Sequence, residues 1–165
     1  MKNQCSIDSY YSPKTNIMTP RYLIFAGILL IALGFDYCAK SSTNPTIANS
    51  TFVATLNGAS ETPANASTAT GTATFTYNPT TYILSGTVTF TGIVATASHI
   101  HSGAVGVAGG VVFPLGGASP TSPISFTSGA LTTQQQSDLM SGLYYVNVHS
   151  VAYPAGEIRG QLIKQ

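Results

Sequence analysis

The residues best equipped for chemistry in this chain are its three histidines, and their spacing is not random. His99 and His101 form a His-Ile-His triplet. In an extended strand, residues two apart point to one face, with Cα atoms about 6.5 Å apart. Ile100 then points the other way, into a core. His149 ends an apolar run at 143–149, in which Tyr144, Val146 and Val148 share one face and Tyr145, Asn147 and His149 the other. Should the two strands lie near each other, three imidazoles converge. Three imidazoles are a ligand set for copper or zinc, with Zn–N bonds of about 2.0–2.1 Å and an open position left over. The competing reading is structural: a His-x-His pair arises in any strand, and such histidines also hydrogen-bond to backbone. A metal site needs supporting groups, because a bound imidazole donates its other N–H to a carboxylate or carbonyl. Beyond the leader described below, Glu61, Asp138 and Glu157 are the only side-chain carboxylates on offer.

The C-terminal stretch Gly-Glu-Ile-Arg-Gly-Gln-Leu at 156–162 alternates as well. Ile158, Gly160 and Leu162 would face the core, and Glu157, Arg159 and Gln161 the opposite side. Glu61, Asn147, Glu157 and Arg159 are therefore the candidates for a supporting layer or a binding surface. The plainer expectation for Glu157 and Arg159 is a cross-strand ion pair that fixes register, worth about 0–1 kcal/mol if exposed. Tyr144, Tyr145 and Tyr153 read as core and rim aromatics rather than a stacking platform. Nucleophilic catalysis finds no Gly-x-Ser-x-Gly elbow, and the glycines of 103–110 have neither P-loop nor dinucleotide-fold spacing. No catalytic residue is expected, and the chain reads as a non-enzyme.

Composition narrows the classes further. Only 7% of residues are charged and the formal net charge is +1. Nucleic-acid binding is excluded, since neutralising phosphates takes clustered Lys and Arg. Charge-driven disorder is excluded by 44% apolar residues. Thr and Ser take the place of charges as the polar complement, and β-branched Thr suits a pleated surface.

Those properties belong to a domain behind a targeting segment. Residues 22–35 are uncharged and apolar, follow Arg21, and fall short of the about 20 residues a spanning helix needs. They fit the core of a secretory signal, with Met18 as the start that suits it best. Cys38 follows, and the stretch resembles a bacterial lipoprotein signal in which that cysteine is acylated. It departs from that pattern at Tyr37, where a small residue is usual, and at Phe35, where Leu is, and the alternative is ordinary signal cleavage nearby, for instance after Gly34. The expected organisation is an extension and signal over 1–37, a linker over 38–50 and a β domain over 51–165. The product is expected to be exported to the cell envelope, touching the membrane through the lipid alone. With Cys5 removed, no intramolecular disulfide is expected.

Within the domain, Ala73, Phe75 and Tyr77 alternate with threonines, and so do Leu84, Gly86, Val88 and Phe90 with hydroxyl residues. Asn-Pro-Thr-Thr at 78–81 is turn chemistry, so the two runs predict a hairpin. Further strands are expected at 52–56, 98–101, 110–115, 124–126, 143–149 and 157–163. One short helix is expected, capped by Thr133 with Gln136 three residues on, and ended by Gly142. The fold class is all-β: an antiparallel Greek-key sandwich or barrel of about eight strands with one short helix.

Taken in order, these segments resemble a known family. Gly-Ala-Ser-Glu-Thr-Pro at 58–63 is followed by Ala-Thr-Gly-Thr-Ala at 69–73 and His-Ile-His at 99–101. Then come Gly-Val-Val-Phe-Pro-Leu at 110–115, the helix, Tyr-Val-Asn-Val-His at 145–149 and Gly-Glu-Ile-Arg-Gly-Gln-Leu at 156–162. The chain resembles the CHRD domain over residues 51–163, a module repeated in chordin and found alone in bacterial exported proteins. The resemblance implies an extracellular, mainly β domain; a non-enzymatic cell-envelope module that binds a protein partner or surface polymer is the first expectation. Chordin's growth-factor binding accompanies its cysteine-rich modules and does not carry over. The His-x-His strand before a glycine-rich loop also resembles, distantly, the copper/zinc superoxide dismutase barrel. That enzyme uses more histidines and an Asp, so dismutase activity is not expected. Three readings stay open: a binding module, a mononuclear copper or zinc site at His99, His101 and His149, and a structural module.

Overall fold

The computed structural model describes residues 47–165. The signal-like run and Cys38 lie outside the described residues. Among the described residues, nine antiparallel strands and one α-helix follow in chain order, besides a 3-10 turn at Gly58–Ser60: β1 (Ser50–Asn57), β2 (Thr70–Asn78), β3 (Ile83–Thr91), β4 (Ala95–Ser102), β5 (Val111–Pro114), β6 (Ile124–Ala130), α1 (Thr133–Met140), β7 (Tyr144–Ser150), β8 (Ile158–Gln161) and β9 (Ile163–Lys164). Among the described residues no helix is long and apolar enough to cross a membrane.

Eight strands hydrogen-bond in the order β5-β4-β7-β8-β1-β2-β3-β6, with β9 beside β1. The sheet curls until its two edges nearly meet, so of the two all-β architectures expected, sandwich or barrel, the chain forms the nearly closed barrel. Side chains bridge the remaining seam: the rings of Phe113 on β5 and Phe126 on β6 lie 5.6 Å apart. The β2–β3 hairpin forms where the turn chemistry predicts. Asn78 Oδ1 accepts from the Thr80 and Thr81 N–H groups at 2.8 and 3.1 Å. Alternation then sets the core, which includes Phe52, Leu56, Phe75, Leu84, Val88, Ile100, Leu115, Leu139, Val146, Ile158 and Leu162, all fully buried.

Two expectations are corrected. The helix is capped by Thr132, not Thr133. Thr132 Oγ1 accepts from Gln135 N–H at 3.2 Å, and Gln135 Oε1 accepts from Thr132 N–H at 2.9 Å. Gln136 is committed elsewhere: it accepts from the Tyr77 hydroxyl at 2.9 Å and donates to the Leu131 carbonyl at 2.9 Å. The C-terminal stretch is also two strands rather than one. β8 pairs with β7 and β9 with β1, and at the change-over Leu162 still donates its N–H to the Tyr144 carbonyl opposite it at 2.9 Å.

Candidate metal centre

Strand β4 pairs with β7, and their register decides the site. His101 lies opposite Tyr145, His99 opposite Asn147, and Ala97 opposite His149. The outward face of this pair therefore carries His99, His101, Tyr145, Asn147 and His149, while Ile100, Val146 and Val148 fill the barrel. The small Ala97 side chain leaves His149 room to lean toward His99. The two strands are neighbours, so the three imidazoles converge, with one ligand nitrogen from each lying within 4.8 Å of the others. Ring centroids are 5.0 Å apart for His99 and His149, 5.4 Å for His99 and His101, and 6.0 Å for His101 and His149.

Hydrogen bonds fix the tautomers. His101 Nδ1 lies 2.9 Å from the Gly109 carbonyl, and His149 Nδ1 lies 3.0 Å from the Pro154 carbonyl. A carbonyl only accepts, so both Nδ1 atoms carry the proton and both Nε2 atoms keep a lone pair. His149 Nε2 lies 3.1 Å from His99 Nδ1. His101 Nε2 is buried without any hydrogen-bond partner. Burial pushes the His99 imidazole below its ordinary value, and the neighbouring His149 and His101 push it further. Burial lowers His149 as well, against the upward pull of its bond to Pro154. Burial thus favours the neutral, ligand-ready form of His99 and His149.

The supporting groups are backbone carbonyls, which sequence reasoning missed because every residue has one. The one usable signal was Gly109 in the glycine-rich loop after His-Ile-His. A Cβ on Gly109 would overlap the Ser102 carbonyl, so only glycine lets the loop fold back this closely. Gly109 N–H also donates to the Tyr145 hydroxyl at 3.0 Å.

The sequence match that places this fold in a family covers residues 52–162, which correspond to the CHRD domain. The chain belongs to the CHRD family. No curated protein matches it, and no solved structure does.

The remaining predicted residues of the CHRD domain form a layer beside the histidines, covered by loops. Tyr145 is buried, as expected of a core aromatic, and its ring packs on its own neighbours. The His101 ring lies on it at 5.1 Å and 12°, and the Arg159 guanidinium sits 3.4 Å from its centroid. The Glu157–Arg159 pair corrects an expectation. Arg159 is 2% exposed and donates to the Val107, Ala104, Thr62 and Gln161 oxygens, none of them a carboxylate. Glu157 is also buried and accepts from the Ser67 hydroxyl at 2.6 Å. This face is roofed by the 58–69 and 103–110 loops, so an exposed ion pair has no place there. Glu61 and Asn147 meet beneath the 151–156 loop. Asn147 Nδ2 donates to Glu61 Oε2 at 3.4 Å, while Glu61 Oε1 and Asn147 Oδ1 are buried and unpartnered. Both orphaned oxygens lie within 2.7 Å of the point a Gly156 Cβ would occupy, which explains glycine there. Burial pushes the Glu61 carboxyl up, against the downward pull of Arg159 and Asn147.

Proposed function

We propose that this CHRD domain is a non-enzymatic, exported metal-binding module of the cell envelope that takes one copper or zinc ion on His99, His101 and His149. The observation that carries the reading is the buried, unpartnered Nε2 of His101. Leaving a buried acceptor unsatisfied costs about 1–3 kcal/mol, and native structures rarely do so without reason. An ion bound there accounts for that nitrogen. The structural reading, with histidines bonded to backbone, accounts only for the Nδ1 atoms of His101 and His149.

Three further features support it. Ligand nitrogens around tetrahedral zinc lie about 3.3 Å apart, by the bond lengths above. The His99–His149 separation of 3.1 Å is already close to that. Two of the three imidazoles have their far N–H held by a carbonyl, the arrangement that orients ligating histidines. Imidazole-only donor sets suit copper and zinc rather than calcium or magnesium. Binding rather than catalysis is favoured because the nearby carboxyls are occupied away from the histidines, Glu61 with Asn147 and Glu157 with Ser67.

Elemental analysis and titration of the purified protein, free of His-rich tags, test this. About one equivalent of copper or zinc is expected at about pH 7.5, released at about pH 5 as the imidazoles protonate. The H101Q and H149Q variants are expected to lose it while keeping a cooperative melt. No binding tighter than about micromolar would retire the reading.

A further inference from the structure

We infer that the site exchanges its ion rather than enclosing it, with His99 as the ligand that comes and goes. This rests on the metal-binding reading above and adds the mode of use.

The three imidazoles are held very differently. His101 and His149 are each 9% exposed. Each is pinned through Nδ1 to a carbonyl on its own loop, Gly109 in the 103–110 segment and Pro154 in the 151–156 segment. His101 is also held flat against Tyr145, whose far face is backed by Arg159. Neither ring can leave the cluster without breaking its hydrogen bond to that loop. His99 has no such restraint. Its side-chain hydrogen bond, among the described residues, is the one to His149 Nε2. An ion at the site takes that same lone pair of His149, so binding removes the bond and leaves His99 held by the metal alone. His99 is also half-buried, and on its outer side lies only the four-residue edge strand β5, where Pro114 is its partner.

A fixed pair with one loose ligand makes substitution at the metal easy. An incoming neutral donor, an imidazole or a thioether from a partner or a small chelator, forms one metal–ligand bond as the metal–His99 bond breaks. No electron changes hands, and the released imidazole stays neutral. Such a site collects or delivers an ion. A structural ion would be expected to have all of its ligands held.

The test uses the full chain loaded with one equivalent of copper(II), comparing wild type with H99Q, H101Q and H149Q. H99Q is expected to keep one equivalent with affinity weakened about 10–100-fold, the range seen when a supporting group is lost, not abolished. Free imidazole is expected to restore that affinity by filling the vacated position. H101Q and H149Q are expected to lose stoichiometric binding, with no rescue. In stopped-flow transfer from wild type to a chelator, the rate is expected to rise with chelator concentration, as associative exchange requires. The inference is overturned if H99Q loses the ion without imidazole rescue, or if transfer is independent of chelator concentration. The H99Q rescue stands even where H101Q fails to fold. Wild type that binds no copper or zinc at all would instead overturn the metal-binding reading itself.

Discussion

Glu61 is the residue whose chemistry is most sharply posed by its surroundings. Two buried oxygens, Glu61 Oε1 and Asn147 Oδ1, flank one point and lack a donor. A proton on the carboxyl supplies it and turns the contact into a reciprocal acid–amide pair. Burial raises the Glu61 value above its ordinary 4.5, so over the interval between the two values the folded state holds more protons than the unfolded chain. The stability this contributes is complete below 4.5 and disappears as pH rises through the folded value. Replacing Glu61 with Gln imitates the protonated acid at every pH. E61Q is therefore expected to melt higher than wild type at neutral pH, by on the order of 1 kcal/mol, with the gap closing in acid. Melting curves of both proteins from about pH 4 to pH 8 check it. A wild type more stable than E61Q at neutral pH would mean that the fold uses the charged carboxylate.

At the scale of elements, the loops do the positioning and the strands do the gathering. The 103–110 loop presents the Gly109 carbonyl to His101 only because its backbone passes against Ser102 where no side chain fits. Gly109→Ala is expected to cost about 1–3 kcal/mol of stability through overpacking and to weaken metal binding about 10–100-fold. Denaturant melts and a metal titration would show both, and an unchanged titration would detach the loop from the site. This division explains how much was legible in the sequence. Alternation put His99 and His101 on one face and His149 with Asn147 and Tyr145 on another, and β4 and β7 keep those faces. That the two strands are neighbours is a long-range fact that periodicity cannot carry. Alternation also told the side on which Glu157 and Arg159 lie, but not that loops would bury it. The helix cap was misplaced by one residue because Thr132 with Gln135 and Thr133 with Gln136 fit the same pattern. The Gln136 bond to Tyr77, across 59 positions, breaks the tie.

Across the whole molecule, cohesion is uneven. Strands β1, β2 and β3 are paired along their full lengths, whereas the seam between β5 and β6 is held by side chains. Backbone groups with no ladder partner exchange most readily. Amide hydrogens of β5 and the seam edge of β6 are therefore expected to exchange well before those of β1 and β7. Hydrogen-exchange mass spectrometry would resolve the difference, and uniform protection would mean that the barrel opens only by global unfolding.

Strand β7 has a further consequence for how the barrel assembles. All seven of its residues are buried, so neither face is marked by water. A one-residue slip against β4 would swap the faces, since side chains alternate with period two. Tyr145, Asn147 and His149 would then enter an apolar interior, while Tyr144, Val146 and Val148 would lie against His99 and His101. Each misplaced set carries its own penalty, so the wrong alignment is rejected twice over. The polar layer that gathers the histidines thereby also proofreads the alignment of the strand that carries them.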